Sequence, residues 1–231
     1  MNRCITSSLA LMLIAGHAAA VDTRYTDIRL GIGVAETPDK AHVEYDAGRH
    51  SAAPSSRGDV GFEHNIGGRI RLGIVHGRTT SWGGWFAGTG IELSGQRLEL
   101  VGAGDDADFD NTSSSSARIY AEGGYAYAFT KRFHLELGPT VGAGVSSITW
   151  IDQQDDGRWT SEEGEGTSVA IGGRLGLYAQ VTEHLVLGLT GGVERVVDRA
   201  EIEFKKTSEG KADVELRHTG AFAMFETGWR F

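Results

Sequence analysis

The sequence predicts an all-β protein: an eight-stranded antiparallel up-and-down transmembrane β-barrel with short periplasmic turns and long extracellular loops. Three observations predict it. Apolar residues alternate with polar or small ones at a period of two, segment after segment. The charged residues of those segments keep to one phase. Short connections alternate with long polar ones, the pattern of a membrane barrel.

The chain opens on an export signal rather than a strand. Arg3 supplies a positive start, Leu9 to Ala15 an apolar stretch too short to span a bilayer as a helix, and Ala18-Ala19-Ala20 a cleavage site. Residues 1–20 are therefore expected to be removed and 21–231 to form the barrel. Cleavage would take away Cys4, the only cysteine, and with it any disulfide or thiol chemistry.

The first strand sets Ile28, Leu30, Ile32 and Val34 against Asp27, Arg29, Gly31 and Gly33. The second reads from Val60 and Phe62 through Ile66, Ile70, Leu72 and Ile74, with Glu63, Arg69 and Arg71 on its other face. The third opposes Trp85, Ile91 and Leu93 to Phe86 and Glu92; the fourth opposes Ile119, Tyr125, Tyr127 and Phe129 to Arg118 and Glu122. In the fifth, Phe133, Leu135, Leu137, Val141 and Val145 face away from His134 and Glu136. The sixth turns Val169, Ile171, Leu175 and Leu177 from Arg174 and Tyr178; the seventh turns Leu185, Leu187, Leu189 and Val193 from Glu194. The last turns Ala221, Ala223, Phe225, Trp229 and Phe231 from Phe222, Met224, Glu226 and Arg230. Gly77 to Ser81, Thr130 to Arg132 and Thr182 to Glu183 read as short turns, and 35–59, 96–116, 149–167 and 198–212 as long loops.

A soluble sandwich also alternates, but its charged face is the solvated one. Here that face carries Asp27, Arg29, Glu63, Arg69, Arg71, Glu92, Arg118, Glu122, His134, Glu136, Arg174, Glu194, Glu226 and Arg230. Forked guanidiniums nearly balanced by carboxylates suit a confined interior in which each charge needs a partner. Glycines make room there, since an eight-stranded interior is just filled by side chains. A luminal salt-bridge network is the expectation. On the apolar face, His64 is the main polar exception. Trp82, Trp85, Tyr127, Phe129, Phe133 and Trp229 flank the short turns and the chain end in the outward phase, as an interfacial aromatic girdle does.

Beyond the spans the phase flips. Leu98, Leu100, Ile148, Trp150, Ile202, Phe204, Val214 and Leu216 take the inner phase, while Arg97, Glu99, Glu201, Glu203, Lys205, Asp213, Glu215 and Arg217 take the outer one. Strands leaving hydrocarbon for water should do this.

The ending Ala-Met-Phe-Glu-Thr-Gly-Trp-Arg-Phe, 223–231, carries a resemblance. With the alternation before it, the chain resembles the small outer-membrane barrel families: OmpX/Ail, the opacity-type proteins and the OmpA transmembrane domain. The resemblance implies that Phe225, Trp229 and Phe231 form the signal read by the barrel-assembly machinery. Thr227 and Gly228 depart from the ideal pattern. It also implies outer-membrane lipid and lipopolysaccharide as surroundings, and a non-enzymatic surface role in envelope integrity, adhesion or host-surface contact through the loops.

Other sites are weaker. Asp105, Asp106, Asp108, Asp110 and Asn111 make half a calcium loop, but Ala117 stands where a closing Glu is needed. Asp155, Asp156, Glu162, Glu163 and Glu165 form a second acidic group, read like the first as solvated loop. No metal or cofactor is expected. A lipid A-modifying enzyme would need His, Ser and a carboxylate together, and His42, Asp46, His50 and Ser51 share only a loop. A narrow porin is the alternative function, since small lumen residues leave room for a file of water. The net charge of −9 argues against nucleic acid.

Overall fold

The computed structural model describes residues 22–46, 56–62, 65–80, 82–98, 112–153, 159–203 and 211–231. The export signal with Cys4, Glu63 and His64, His50 and Ser51, Glu99 and Leu100, Phe204 and Lys205, and the carboxylates at 105–110, 155 and 156 lie outside them.

Ten strands form one antiparallel sheet: β1 (Asp22–Glu36), β2 (Lys40–Asp46), β3 (Ser56–Gly61), β4 (Ile66–Thr80), β5 (Gly84–Leu98), β6 (Thr112–Ala128), β7 (Phe133–Gln153), β8 (Trp159–Gln180), β9 (Leu185–Glu203) and β10 (Lys211–Arg230). The order is β1-β4-β5-β6-β7-β8-β9-β10-β2-β3, and β1 pairs again with β10. Eight strands thus close a ring, from Asp22↔Thr80 on the β4 side of β1 to Asp27↔Arg230 on its β10 side. Closure leaves no edge at that level, the condition for backbone amides to survive in lipid.

The β2–β3 hairpin stands apart from the ring. β2 pairs with β10 over Lys211↔Asp46 to Leu216↔Ala41, above the point where β1 ends. The second predicted strand is therefore corrected. Val60 belongs to β3, and Phe62 is buried at 3% exposure rather than facing outward. The reason is its level: above the membrane the outer face meets water, so an apolar ring turns inward. Parts of the predicted long loops are likewise strand: among the described residues, β7 and β8 pair as far as Gln153↔Trp159. Gly77 lies within β4 rather than in a turn, packed against the Tyr25 ring, where a Cβ would overlap it.

The outside is apolar in a band. Ile70, Leu72 and Ile74 on β4 are 47%, 52% and 53% exposed, and Ile171, Leu175 and Leu177 on β8 are 59%, 43% and 48%. A two-sheet sandwich would have buried these residues between its sheets. The outward residues of β8 stay apolar or small from Val169 to its end, as does Val181 just beyond it. At about 3.3 Å per residue and a tilt of roughly 40°, that covers about 30 Å, enough for the apolar band of a membrane barrel.

The inside changes character with height. At the short-turn end Tyr25, Val75, Phe86 and Ala126 form a small apolar cluster. Polar and charged residues fill the middle. Above them Ala41, Phe62, Leu98, Ile148, Ala200, Ile202, Ala212, Val214 and Leu216 make a second apolar core, with Val43 and Val60 against it. The strand extensions thus fold as a soluble β-structure does, with grease inside and charge outside.

Candidate functional site: an ion-pair column inside the barrel

Period-two alternation brings one residue in two from every ring strand to the lumen. All the predicted luminal charges that are described are buried there, from Asp27 and Glu136 at 0% exposure to Glu122 and Arg230 at 7%. They join into one chain of pairs. Arg230 Nε donates to Asp27 Oδ1 at 2.8 Å, and Arg29 Nη2 donates to Asp27 Oδ2 at 2.9 Å. Arg29 then grips both oxygens of Glu136, each at 2.8 Å. Arg174 bridges Glu136 to Glu122, reaching the latter at 2.9 Å. Arg71 continues from Glu122 at 3.4 Å to Glu92 at 2.6 Å. Glu92 also takes Arg118 at 2.7 Å and faces Arg69 at 3.7 Å, and Arg69 closes on Glu194.

Six arginines (29, 69, 71, 118, 174, 230) meet six acids (27, 92, 122, 136, 194, 226), so this set is neutral. Glu63, the seventh predicted acid, is outside the described residues. Neutrality matters because an uncompensated charge in so confined a space costs several kcal/mol, of the order of 3–5 when a partner is removed.

Aromatic rings wall the column. Tyr178 donates to Glu226 at 2.9 Å and lies 3.0 Å from Thr190, while the Arg29 guanidinium sits 3.9 Å above its ring. Tyr25 donates to Glu136 at 2.7 Å. His134 is sandwiched between these two tyrosines, with centroids 5.1 and 5.2 Å away. Gly176 and Gly188 make this possible, since a Cβ on either would overlap the Tyr178 ring. Sequence reasoning placed Tyr178 in the luminal phase without a role, and left Tyr25 out. It put Asp198 in a loop, whereas Asp198 is buried and accepts from Ser168 at 2.5 Å.

The column leaves little space. The cavities along it are about 10 Å³ beside Arg71 and Tyr120, about 10 Å³ beside Arg29 and Arg174, and about 20 Å³ beneath His218. Each holds one or two water molecules at most. His218 lies just above the apolar band. Burial, then the guanidiniums of Arg118 and Arg69, push its pKa down to about 4.

At the short-turn end Trp82 is 93% exposed, Trp85 48%, Phe133 54% and Trp229 52%, with Tyr127 and Phe129 half-buried. Tyr127 and Phe129 meet edge to face at 5.2 Å, and His184 stacks on Trp229 at 5.0 Å. Of the predicted assembly signal, Phe225 and Phe231 are also outward, at 52% and 71%. The Phe231 amide bonds the Thr26 carbonyl at 3.0 Å, so the chain end is tied to β1.

On the outer face of the extensions, an open concavity of about 910 Å³ lies between the β2–β3 hairpin and β8–β10. Its charges pair locally: Arg199 with Glu215 at 2.6 Å, Arg217 with Glu215, and His42 with Asp59 at 2.7 Å. That last bond holds the Asp59 carboxyl below its usual range. His42 therefore meets Asp59, a residue that sequence reasoning had not paired with it. Nearby, Glu162, Glu163, Glu165, Glu201 and Glu203 line a second concavity of about 610 Å³. Lys211 sits between Glu201 at 2.5 Å and Glu203 at 2.9 Å, and they raise its pKa. Among the described residues no group of His, Cys, Asp and Glu is arranged to hold a metal ion.

No protein-family model and no curated protein sequence matches the chain. Solved structures resemble it. The outer membrane protein OprG from Pseudomonas aeruginosa is 16% identical, with 90% of this chain and 97% of that one covered and a TM-score of 0.38. The outer membrane protease OmpT from Escherichia coli is 10% identical, with 93% and 100% covered and a TM-score of 0.41. Ail, the attachment invasion locus protein of Yersinia pestis, is 10% identical, with 90% and 100% covered and a TM-score of 0.30. At these values the likeness carries nothing about activity.

Proposed function

We propose that this chain is a non-enzymatic surface protein of the Gram-negative outer membrane, a rigid closed barrel that strengthens the envelope and displays its strand extensions to the outside. Residues 1–20 direct export. The short turns face the periplasm, and the aromatic residues around them sit at the lipid interface. Phe225, Trp229 and Phe231 are read by the assembly machinery, and lipopolysaccharide surrounds the upper rim. Adhesion through the extensions is the finer part of this reading.

One observation carries the reading. Among the described residues, apolar clusters cap both ends of a neutral ion-pair column whose cavities are about 10 to 20 Å³ each. A pore needs a continuous file of water, and a filled interior favours a scaffold. Single-channel recording on refolded protein tests this. The expected trace is silent. Steady conductance would replace the scaffold with the narrow porin. Lipid A from cells with and without expression tests the enzyme alternative: unchanged mass spectra are expected, and a shifted acyl pattern would overturn the non-enzymatic assignment.

A further inference from the structure

The β2–β3 hairpin is not needed to close the barrel. β3 is last in the sheet order, paired with β2 alone, so its other backbone edge has no strand beside it among the described residues. What it presents is Arg57, Gly58 and Asp59, all exposed. A Cβ on Gly58 would meet nothing within 4 Å, so the backbone between the two charges is open to close approach. Arg57 and Asp59 are two apart on a strand and therefore share its outward face.

His42, directly opposite Asp59, holds the pair in place. Its Nδ1 lies 2.7 Å from Asp59 Oδ1, and Arg57 Nε donates to its Nε2 at 2.8 Å. One neutral tautomer, protonated on Nδ1, satisfies both bonds at once. The clamp uses one carboxylate oxygen and one guanidinium donor. A guanidinium fork and a carboxylate oxygen are left to offer, at a fixed spacing with a side-chain-free residue between them.

We propose that Arg57-Gly58-Asp59 is a recognition site for a cell-surface adhesion receptor of the class that reads Arg-Gly-Asp segments. The Asp59 carboxylate would complete the coordination of a divalent cation held by the receptor, a hard oxygen ligand on a hard ion. The Arg57 guanidinium would fork onto a receptor carboxylate. Alignment by His42 lowers the ordering cost of both contacts. The inference rests on the outward placement of the strand extensions proposed above. The plainer role for these charges is protection of the β3 edge against unwanted pairing.

The test uses the full chain in lipid nanodiscs and the ectodomain of an Arg-Gly-Asp-binding integrin in manganese buffer. Binding is expected, lost on chelation with EDTA and competed by a soluble Arg-Gly-Asp peptide but not by an Arg-Gly-Glu peptide. Asp59→Glu and Arg57→Lys, which preserve charge, should each weaken it by about tenfold or more, with Glu183→Gln, exposed in a short turn at the opposite end of the barrel, as an unaffected control. Absence of binding, or binding indifferent to Asp59→Glu or to EDTA, would overturn the proposal. An impermeant amine label on intact cells separates the two failures. Labelling of Lys40 without receptor binding sinks this inference alone; shielding of Lys40 in cells sinks the surface placement beneath it.

Discussion

Arg29 and Glu136 meet across the full width of the barrel. They stand on β1 and β7, four strands apart in a ring of eight, and two nitrogens of one guanidinium reach two oxygens of one carboxylate at 2.8 Å each. A bond between opposite walls fixes the diameter as no adjacent pair can. Glu136→Gln removes a charge that Arg29, Arg174 and Tyr25 share, leaving Arg29 with Asp27 and Arg174 with Glu122 as their remaining close carboxylates. A loss of about 3–5 kcal/mol is expected, read as the urea midpoint of the barrel in lipid vesicles. Adding Arg29→Met should recover part of it, because the excess positive charge goes too.

The lipid face and the solvent face of one strand should respond oppositely to charge. Leu175→Arg on β8 places a cation in the apolar band and should cost roughly 2–4 kcal/mol. Thr167→Arg, also outward but beside Glu165, should cost little. Both are read in the same unfolding assay, and equal costs would refute the assigned boundary.

The upper core should behave as an ordinary hydrophobic core. Ile148 is fully buried among Leu98, Ile202 and Leu216. Ile148→Ala should cost about 2–5 kcal/mol locally. Limited proteolysis should then cut the extensions while the heat-modifiable gel migration of the membrane barrel persists.

Acid should loosen the same region through His218. Its folded pKa of about 4 lies below the ordinary 6.5. Between those values the unfolded chain binds a proton that the folded one refuses, so stability falls as pH drops from 6.5 towards 4. His218 is half-buried, which discounts the effect to roughly 1–2 kcal/mol. Unfolding midpoints at pH 7 and pH 5 should differ in the wild type, and His218→Gln should narrow the difference.

Much of this was legible in the sequence, for a physical reason. A membrane barrel must segregate its two faces, so Leu175 and Arg174 announce theirs by neighbouring position alone. The flip at Leu98 and Ile148 marked where water begins. Partner choice was not legible, because Arg29 finds Glu136 only through ring closure over more than a hundred residues of chain. Nor was the β2–β3 hairpin, whose polar outer residues hide the short inner run of Ala41, Val43 and Val60. Carrying the membrane phase from Ile66 back to Phe62 fails because the two residues do not share a strand: β3 ends at Gly61 and β4 begins at Ile66.

The central claim is that the apolar residues of β8 face hydrocarbon and the charges face one another inside. Nitroxide labels on cysteines placed one at a time from Val169 to Val181, in reconstituted vesicles, test it most directly. Collision with oxygen should peak at 171, 173, 175 and 177, where a water-soluble nickel relaxer should be excluded, and the inward positions 170, 172, 174, 176 and 178 should be shielded from both. Labels at 171, 175 and 177 relaxed by nickel and indifferent to oxygen would contradict the account.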